Sequence, residues 1–251
     1  MRLFRIATPA GPCWAMQEHD HLRLLEGDPY AGLQETKETT DLAGARLLCP
    51  ATPSKIVAIG LNYRDHAAEQ AKPLPAEPLL FLKPPSAVIG PGEAIRLPAW
   101  AGRVDHEAEL ALVIGRQVKD VETPEAAAAA ILGAVCLNDV TARELQKKDV
   151  QYSRAKGFDS FCPIGPAIAV GLDLARLRVE CRVNGEVRQS SSTAELVFDP
   201  AALVRFVSRV MSLLPGDIIS TGTPAGVSPL RPGDIVEVEV EGVGVLKNPV
   251  V

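Results

Sequence analysis

The sequence predicts an α+β fold rich in β-structure, with mixed sheets, helices packed outside them, and a small N-terminal β-rich domain ahead of a larger one. Three observations predict it. The apolar runs are short and bounded by Gly, Pro, Asn or Asp, as strands are. Few segments carry a helix cap or helical spacing. The 21 prolines among 251 residues break up anything longer.

Residues 1–50 carry short apolar pieces (3–7, 13–16, 22–25) separated by Gly, Pro and charges. These read as a few short strands, followed by a Thr- and Glu-rich loop at 34–41. Cys49-Pro50-Ala51-Thr52-Pro53 stiffens the chain and marks the boundary between a domain of 1–50 and one of 51–251. Residues 55–61 form the next strand, ending near Gly60. Asn62 to Gln70 is polar and helix-prone, with His66 and Glu69 on one face. Residues 79–82, followed by Lys83-Pro84-Pro85, are a strand stopped by prolines.

Further along, Thr123-Pro124 caps a helix, the alanine run 126–130 extends it, and Gly133 is expected to end it. The apolar run 131–138 leads into Asp139, and 141–149 reads as a charged helical piece. Alternation over 178–183 runs into Asn184-Gly185, a hairpin signal. Asp199-Pro200 caps another helix, with Leu203, Phe206, Val207, Val210, Met211 and Leu214 at helical spacing and Pro215-Gly216 after it. Residues 218–224 are a strand running into a tight loop. Residues 235–245 alternate Val with Glu237, Glu239 and Glu241, as one strand with a wet face would.

A hydrophobic content of 47% suffices for a sizeable core. A net charge of −5 argues against nucleic acid or an anionic membrane as the main partner. No apolar run approaches the roughly 20 residues that span a bilayer. The N-terminus lacks the apolar core of a signal peptide. Five scattered cysteines without a Cys-x-x-Cys fit reduced thiols, and a cytoplasmic location is expected.

The chemistry gathers around residues 103–115. The run from Leu110 to Gly115 reads as a buried strand, on which Glu107 and Glu109 project to one side while His106 and Leu110 face the other. Two carboxylates beside an apolar run repel each other and lose hydration, so a cation must offset them. Hard divalent ions take oxygen ligands, and Asp139 is a candidate third. A solvated edge and a helix cap are the ordinary alternatives for these acids. Elsewhere, Lys156 beside Gly157 could meet a developing oxyanion. Arg143 and Gln146 could offer donors to a carboxylate. His66 with Glu69 could be a base and its orienting acid. Gly222 and Thr223 could place N–H and hydroxyl groups at a ligand. Each of these is also explained by ordinary surface or turn chemistry.

Taken in order, the segments 60–69, 81–84, 106–110, 138–143, 155–159 and 221–226 resemble the fumarylacetoacetate hydrolase family over residues 51–251. The similarity is greatest to the branch of 2-hydroxyhepta-2,4-diene-1,7-dioate isomerases and 5-oxopent-3-ene-1,2,5-tricarboxylate decarboxylases of aromatic catabolism. The resemblance implies a β-roll with flanking helices, a homodimer, and an enzyme acting on a 2-oxo or 2-hydroxy-dienoic acid through an enolate. It implies Glu107, Glu109 and Asp139 as ligands of Mg2+ or Mn2+, with Ca2+ a further hard ion. Lys156 is then the catalytic lysine, His66 and Glu69 a dyad on a lid, and Arg143, Gln146, Gly222 and Thr223 substrate contacts. Ile59 stands where the founding hydrolase has a fourth acid, so three carboxylates are expected here. Acylpyruvate (fumarylpyruvate) hydrolysis and oxaloacetate decarboxylation are the neighbouring activities. A metal-binding protein of the same fold without turnover is the alternative of another class.

Overall fold

A computed structural model describes all residues 1–251. A large mixed sheet runs through the whole molecule, in the spatial order Gly32–Asp41, His21–Asp28, Gly11–Glu18, Arg2–Thr8, Cys162–Ala169, Ile131–Asn138, Ala108–Ile114, Ile218–Ser220, Ile56–Gly60, Leu79–Lys83. The N-terminal strands form an antiparallel meander that joins this sheet where Arg2–Thr8 pairs with Cys162–Ala169. A second sheet, Glu186–Ser192, Arg178–Val183, Ile235–Val240 and Gly244–Pro249, is antiparallel throughout.

Alternation assigns the faces. Along the central strand, Leu110, Leu112 and Ile114 enter the main core with Val179, Val236 and Val238 of the second sheet. Ala111 and Val113 point the other way, into a smaller core with Leu3, Val135 and Ile164. A strand buried on both faces reads as an unbroken apolar run, which is why 110–114 looks as it does.

The helices are short and lie outside the sheets: α1 (Arg64–Glu69), α2 (Pro124–Ala128), α3 (Arg143–Lys148), α4 (Ser153–Lys156) and α5 (Pro200–Val210). The caps read from the sequence are made: Thr123 accepts from Ala126 N–H, and Asp199 from Ala202 N–H. Asp217 is fully buried where the parallel pair Ile218–Ser220 and Ile56–Gly60 begins. It accepts from the N–H groups of Ser54, Lys55 and Leu214, from the Ser54 hydroxyl and from the Lys55 ammonium. These contacts fix where the linker enters the sheet.

Four expectations need correction. Residues 34–41 are not a loop but lie within the edge strand Gly32–Asp41. An edge strand buries little, so its composition stays polar while its backbone pairs with His21–Asp28. Gly133 does not end a helix. α2 stops at Ala128, and Gly133 lies inside Ile131–Asn138, where a Cβ would come 2.4 Å from the Ala169 carbonyl oxygen. Residues 235–245 are two strands joined by a turn at 241–243, with Gly242 and Gly244 at positive φ. The helix after Asp199 ends at Val210, before Met211 and Leu214, because Met211 is already extended.

Candidate active site

The strand ends converge on one cleft of about 640 Å³. Glu109 lies at the start of Ala108–Ile114, Glu107 just before it, and Asp139 just after Ile131–Asn138. These two strands are antiparallel neighbours with Ala108 opposite Asn138, so their facing ends deliver the acids together. One carboxylate oxygen from each of the three lies within 4.8 Å of the others, and all three residues are buried. His106 turns away, as alternation expects, to sit between Gln189 Oε1 (3.0 Å) and Ser228 Oγ (2.8 Å).

Each acid has its own cation or donors. Lys156 Nζ donates to Glu107 Oε2 (2.9 Å), to Thr141 Oγ1 (2.8 Å) and to Asp139 Oδ2. Burial alone would lower the Lys156 ammonium, but Asp139 and Glu107 outweigh it and raise it. Burial alone would raise the Glu107 carboxyl, but Lys156 and Arg143 hold it below the usual carboxylate range. Glu109 receives the Ser220 hydroxyl and the Gly222 N–H (2.8 Å) but no direct cation. Burial, with the Asp139 and Glu107 carboxylates beside it, pushes Glu109 up to about 8. That imbalance fits a divalent cation. Three buried oxygen donors suit a hard ion, and such an ion would relieve the repulsion on Glu109. Mg2+ and Mn2+ match this donor set. Ile59 stands on the cleft wall and adds no fourth carboxylate.

Around the acids stand the other candidates. His66 Nδ1 donates to Glu69 Oε2 (2.9 Å), which leaves Nε2 as acceptor for the Gln70 amide (2.6 Å). Glu69 also accepts from Gly226 N–H (3.0 Å), tying α1 to the loop after Thr223. Arg143 is engaged with acids: its Nε donates to Asp105 Oδ2 (2.8 Å) and its Nη2 lies 2.6 Å from Glu107 Oε1. Its Nη1 donates to Gln146 Oε1 (2.9 Å), so the Gln146 carbonyl is taken and its amide N–H groups are free for a ligand. The Thr223 hydroxyl donates to Ala108 O (2.9 Å) and accepts from Gln189 Nε2 (2.8 Å). Gly222 sits at φ +99°, where a Cβ would come 2.9 Å from the Asn62 Cβ. Its N–H serves Glu109. The structure therefore gathers His66, Glu107, Glu109, Asp139, Arg143, Gln146, Lys156 and Thr223 on one cleft, with Glu69 and Gly222 behind them.

Reasoning from sequence missed Lys83. Fully buried, it donates 2.6 Å bonds to Asp139 Oδ1 and to the Lys156 carbonyl, and so joins the acid to the turn that carries the lysine. The available signal is a charge at the end of an apolar strand, masked by the two prolines that account for the stop by themselves. Asp105, Thr141, Ser220 and Gln189 were also missed, because the partners that tie them to the site, Arg143, Lys156, Glu109 and His106, lie 15 to 111 residues away.

Fold and site together define a β-rich enzyme with three buried carboxylates gathered at the base of one cleft. The chain belongs to the fumarylacetoacetate hydrolase family: residues 55–251 match its fumarylacetoacetate (FAA) hydrolase C-terminal domain. Residues 1–50 match the Rv2993c-like N-terminal family. A solved structure of 2-hydroxyhepta-2,4-diene-1,7-dioate isomerase from Mycobacterium marinum is 45% identical, with a TM-score of 0.92 over 100% of this chain and 98% of that one. Oxaloacetate tautomerase fahd2, mitochondrial, from Xenopus laevis is 40% identical over 88% of this chain and 73% of its own length. A maleylpyruvate hydrolase from Sphingobium sp. SYK-6, solved with manganese(II) and pyruvate, is 30% identical, with a TM-score of 0.83 over 100% and 99% of the two chains. No helix of this chain is long and apolar enough to cross a membrane.

Proposed function

We propose that this chain is a divalent-metal-dependent enzyme that moves a proton within a 2-hydroxy-dienoic or 2-oxo acid, acting as a 2-hydroxyhepta-2,4-diene-1,7-dioate isomerase. The observation that carries the reading is Lys156: a buried ammonium set against three acids, on the same cleft as a His66–Glu69 dyad. The isomerase among its relatives adds support. Glu107, Glu109 and Asp139 would hold Mg2+ or Mn2+, which supplies a Lewis acid for the substrate's carboxylate and adjacent oxygen.

The rest falls to the chain's own side chains. Lys156 places fixed positive charge where the enolate oxygen develops, on a side chain that is itself buried. Glu69 holds the His66 tautomer with Nε2 free of hydrogen, so Nε2 is the atom that takes and returns the proton. Gln70 covers that nitrogen and must turn aside when substrate enters. The amide of Gln146 is placed to donate to the substrate carboxylate. Isomerisation conserves composition: the enol O–H proton leaves and a proton arrives on a chain carbon. A 2-oxo dicarboxylate such as oxaloacetate would use the same groups, and the oxaloacetate tautomerase relative favours it as the second reading.

The test is turnover of 2-hydroxyhepta-2,4-diene-1,7-dioate in deuterated buffer, followed by NMR and mass. The expected product is an isomer carrying solvent deuterium on carbon. Gain of water with chain cleavage would replace the isomerase reading with a hydrolase, and release of CO2 with a decarboxylase.

A further inference from the structure

We propose that Lys72 and Lys147 form a distal anion subsite in the cleft, which takes the second carboxylate of a dicarboxylic 2-oxo or 2-hydroxy acid. The two residues thereby set a preference for dicarboxylic over monocarboxylic ligands. This rests on the reading above, in which the first carboxylate end of the ligand lies at the three acids.

The charges of the lining make the case. Five cations line the cleft (Lys72, Arg103, Arg143, Lys147, Lys156) against four acids (Asp105, Glu107, Glu109, Asp139). Arg103 and Arg143 are paired with Asp105, Arg143 also with Glu107, and Lys156 with Glu107 and Asp139. Lys72 and Lys147 are the remaining two, and no carboxylate of the chain lies within ion-pair distance of either. Both are exposed. A single exposed lysine is ordinarily just solvated. Two unpaired ammoniums facing the same cleft as a set of fully paired ones are a different pattern.

The backbone holds both in place. Lys72 follows α1, where its N–H bonds to the Ala67 carbonyl (3.0 Å). Lys147 and Gln146 both line the cleft from α3, whose backbone fixes the base of each side chain. With all four acids ionised, as they would be around a divalent ion, the lining carries one net positive charge, and the ion raises this to three. A monocarboxylate offsets one of these charges and a dicarboxylate two. The cleft volume, about 640 Å³, also exceeds what a three-carbon oxo acid would fill.

The test compares two ligands that share a six-carbon 2-oxo acid chain and differ in the distal carboxylate: 2-oxoadipate and 2-oxohexanoate. Their binding to the Mn2+-loaded protein is measured by calorimetry. Wild type is expected to bind 2-oxoadipate roughly tenfold more tightly, the scale of two partly exposed charge contacts. The preference should shrink as salt rises. In the Lys72→Gln, Lys147→Gln double variant the preference should vanish, with 2-oxohexanoate affinity, Mn2+ affinity and melting temperature unchanged. Both side chains are exposed, so folding is not at issue, and each single variant should lose part of the preference. Equal binding of the two ligands by wild type, or a preference that survives in the double variant, overturns the subsite. Failure of wild type to bind either ligand overturns the 2-oxo acid reading itself, and the subsite with it.

Discussion

Glu109→Gln is expected to abolish metal-dependent turnover, with a fall on the order of a thousandfold, while leaving the metal-free protein at least as stable as wild type. The two halves have one cause. Glu109 is the acid of the three that lacks a direct cation, and burial with Asp139 and Glu107 pushes it up to about 8. Loss of a partner that only orients a ligand typically costs 10–100-fold, so loss of a charged ligand should cost more. Glutamine keeps an oxygen for the Ser220 hydroxyl and the Gly222 N–H, so the local fold is retained. For stability the sign follows from the raised carboxyl. The folded state holds the proton more tightly than the unfolded chain, whose ordinary value is 4.5. Its contribution is therefore complete below about 4.5 and is lost as pH rises towards about 8. Metal-free wild type should thus weaken between those limits, by on the order of 3 kcal/mol, while the glutamine variant should not. Denaturant unfolding at pH 5 and pH 8 checks this. Parallel pH dependence of the two proteins would contradict it.

Lys156→Met is expected to separate charge stabilisation from ion binding. Turnover should fall on the order of a hundredfold or more, since a fixed positive charge at the oxyanion is removed. Mn2+ should still bind, because the three acids remain and a competing cation has gone. Without metal the variant should be destabilised. Lys156 bonds to Glu107, Asp139 and Thr141 in a buried site, and removing one partner of a buried ion pair typically costs about 3–5 kcal/mol. Lys83 and Arg143 still serve Asp139 and Glu107, which places the loss at the lower end. Added Mn2+ should restore much of it. Melting curves with and without Mn2+ report this part, and steady-state rates the other. A variant as active as wild type would remove Lys156 from the chemistry.

Local physics made much of this protein legible before its structure. Asn184-Gly185 announced a hairpin because both residues sit at positive φ there. Thr123 and Asp199 announced helices because their side chains cap the first turn. The acids stood out because charge beside an apolar run demands a partner. What stayed hidden depends on distant partners. The edge strand Gly32–Asp41 is held by backbone bonds and buries little, so composition was silent. Gly133 looked like a helix stop, but its reason is the Ala169 backbone pressed against it. Lys83 looked like the end of a strand, yet its partners Asp139 and Lys156 lie 56 and 73 residues away. Thr223 lines the cleft, but the partners of its hydroxyl were hidden too. They are Ala108 and Gln189, the latter a residue of the second sheet.

Everything proposed for the cleft depends on Glu107, Glu109 and Asp139 holding one divalent ion. The most direct measurement is a Mn2+ titration of chelator-stripped wild type and Glu109→Gln, read by electron paramagnetic resonance. One tightly bound ion per wild-type chain is expected, with binding weakened on the order of a hundredfold or more in the variant. Equal binding by both proteins, or none by wild type, would contradict it.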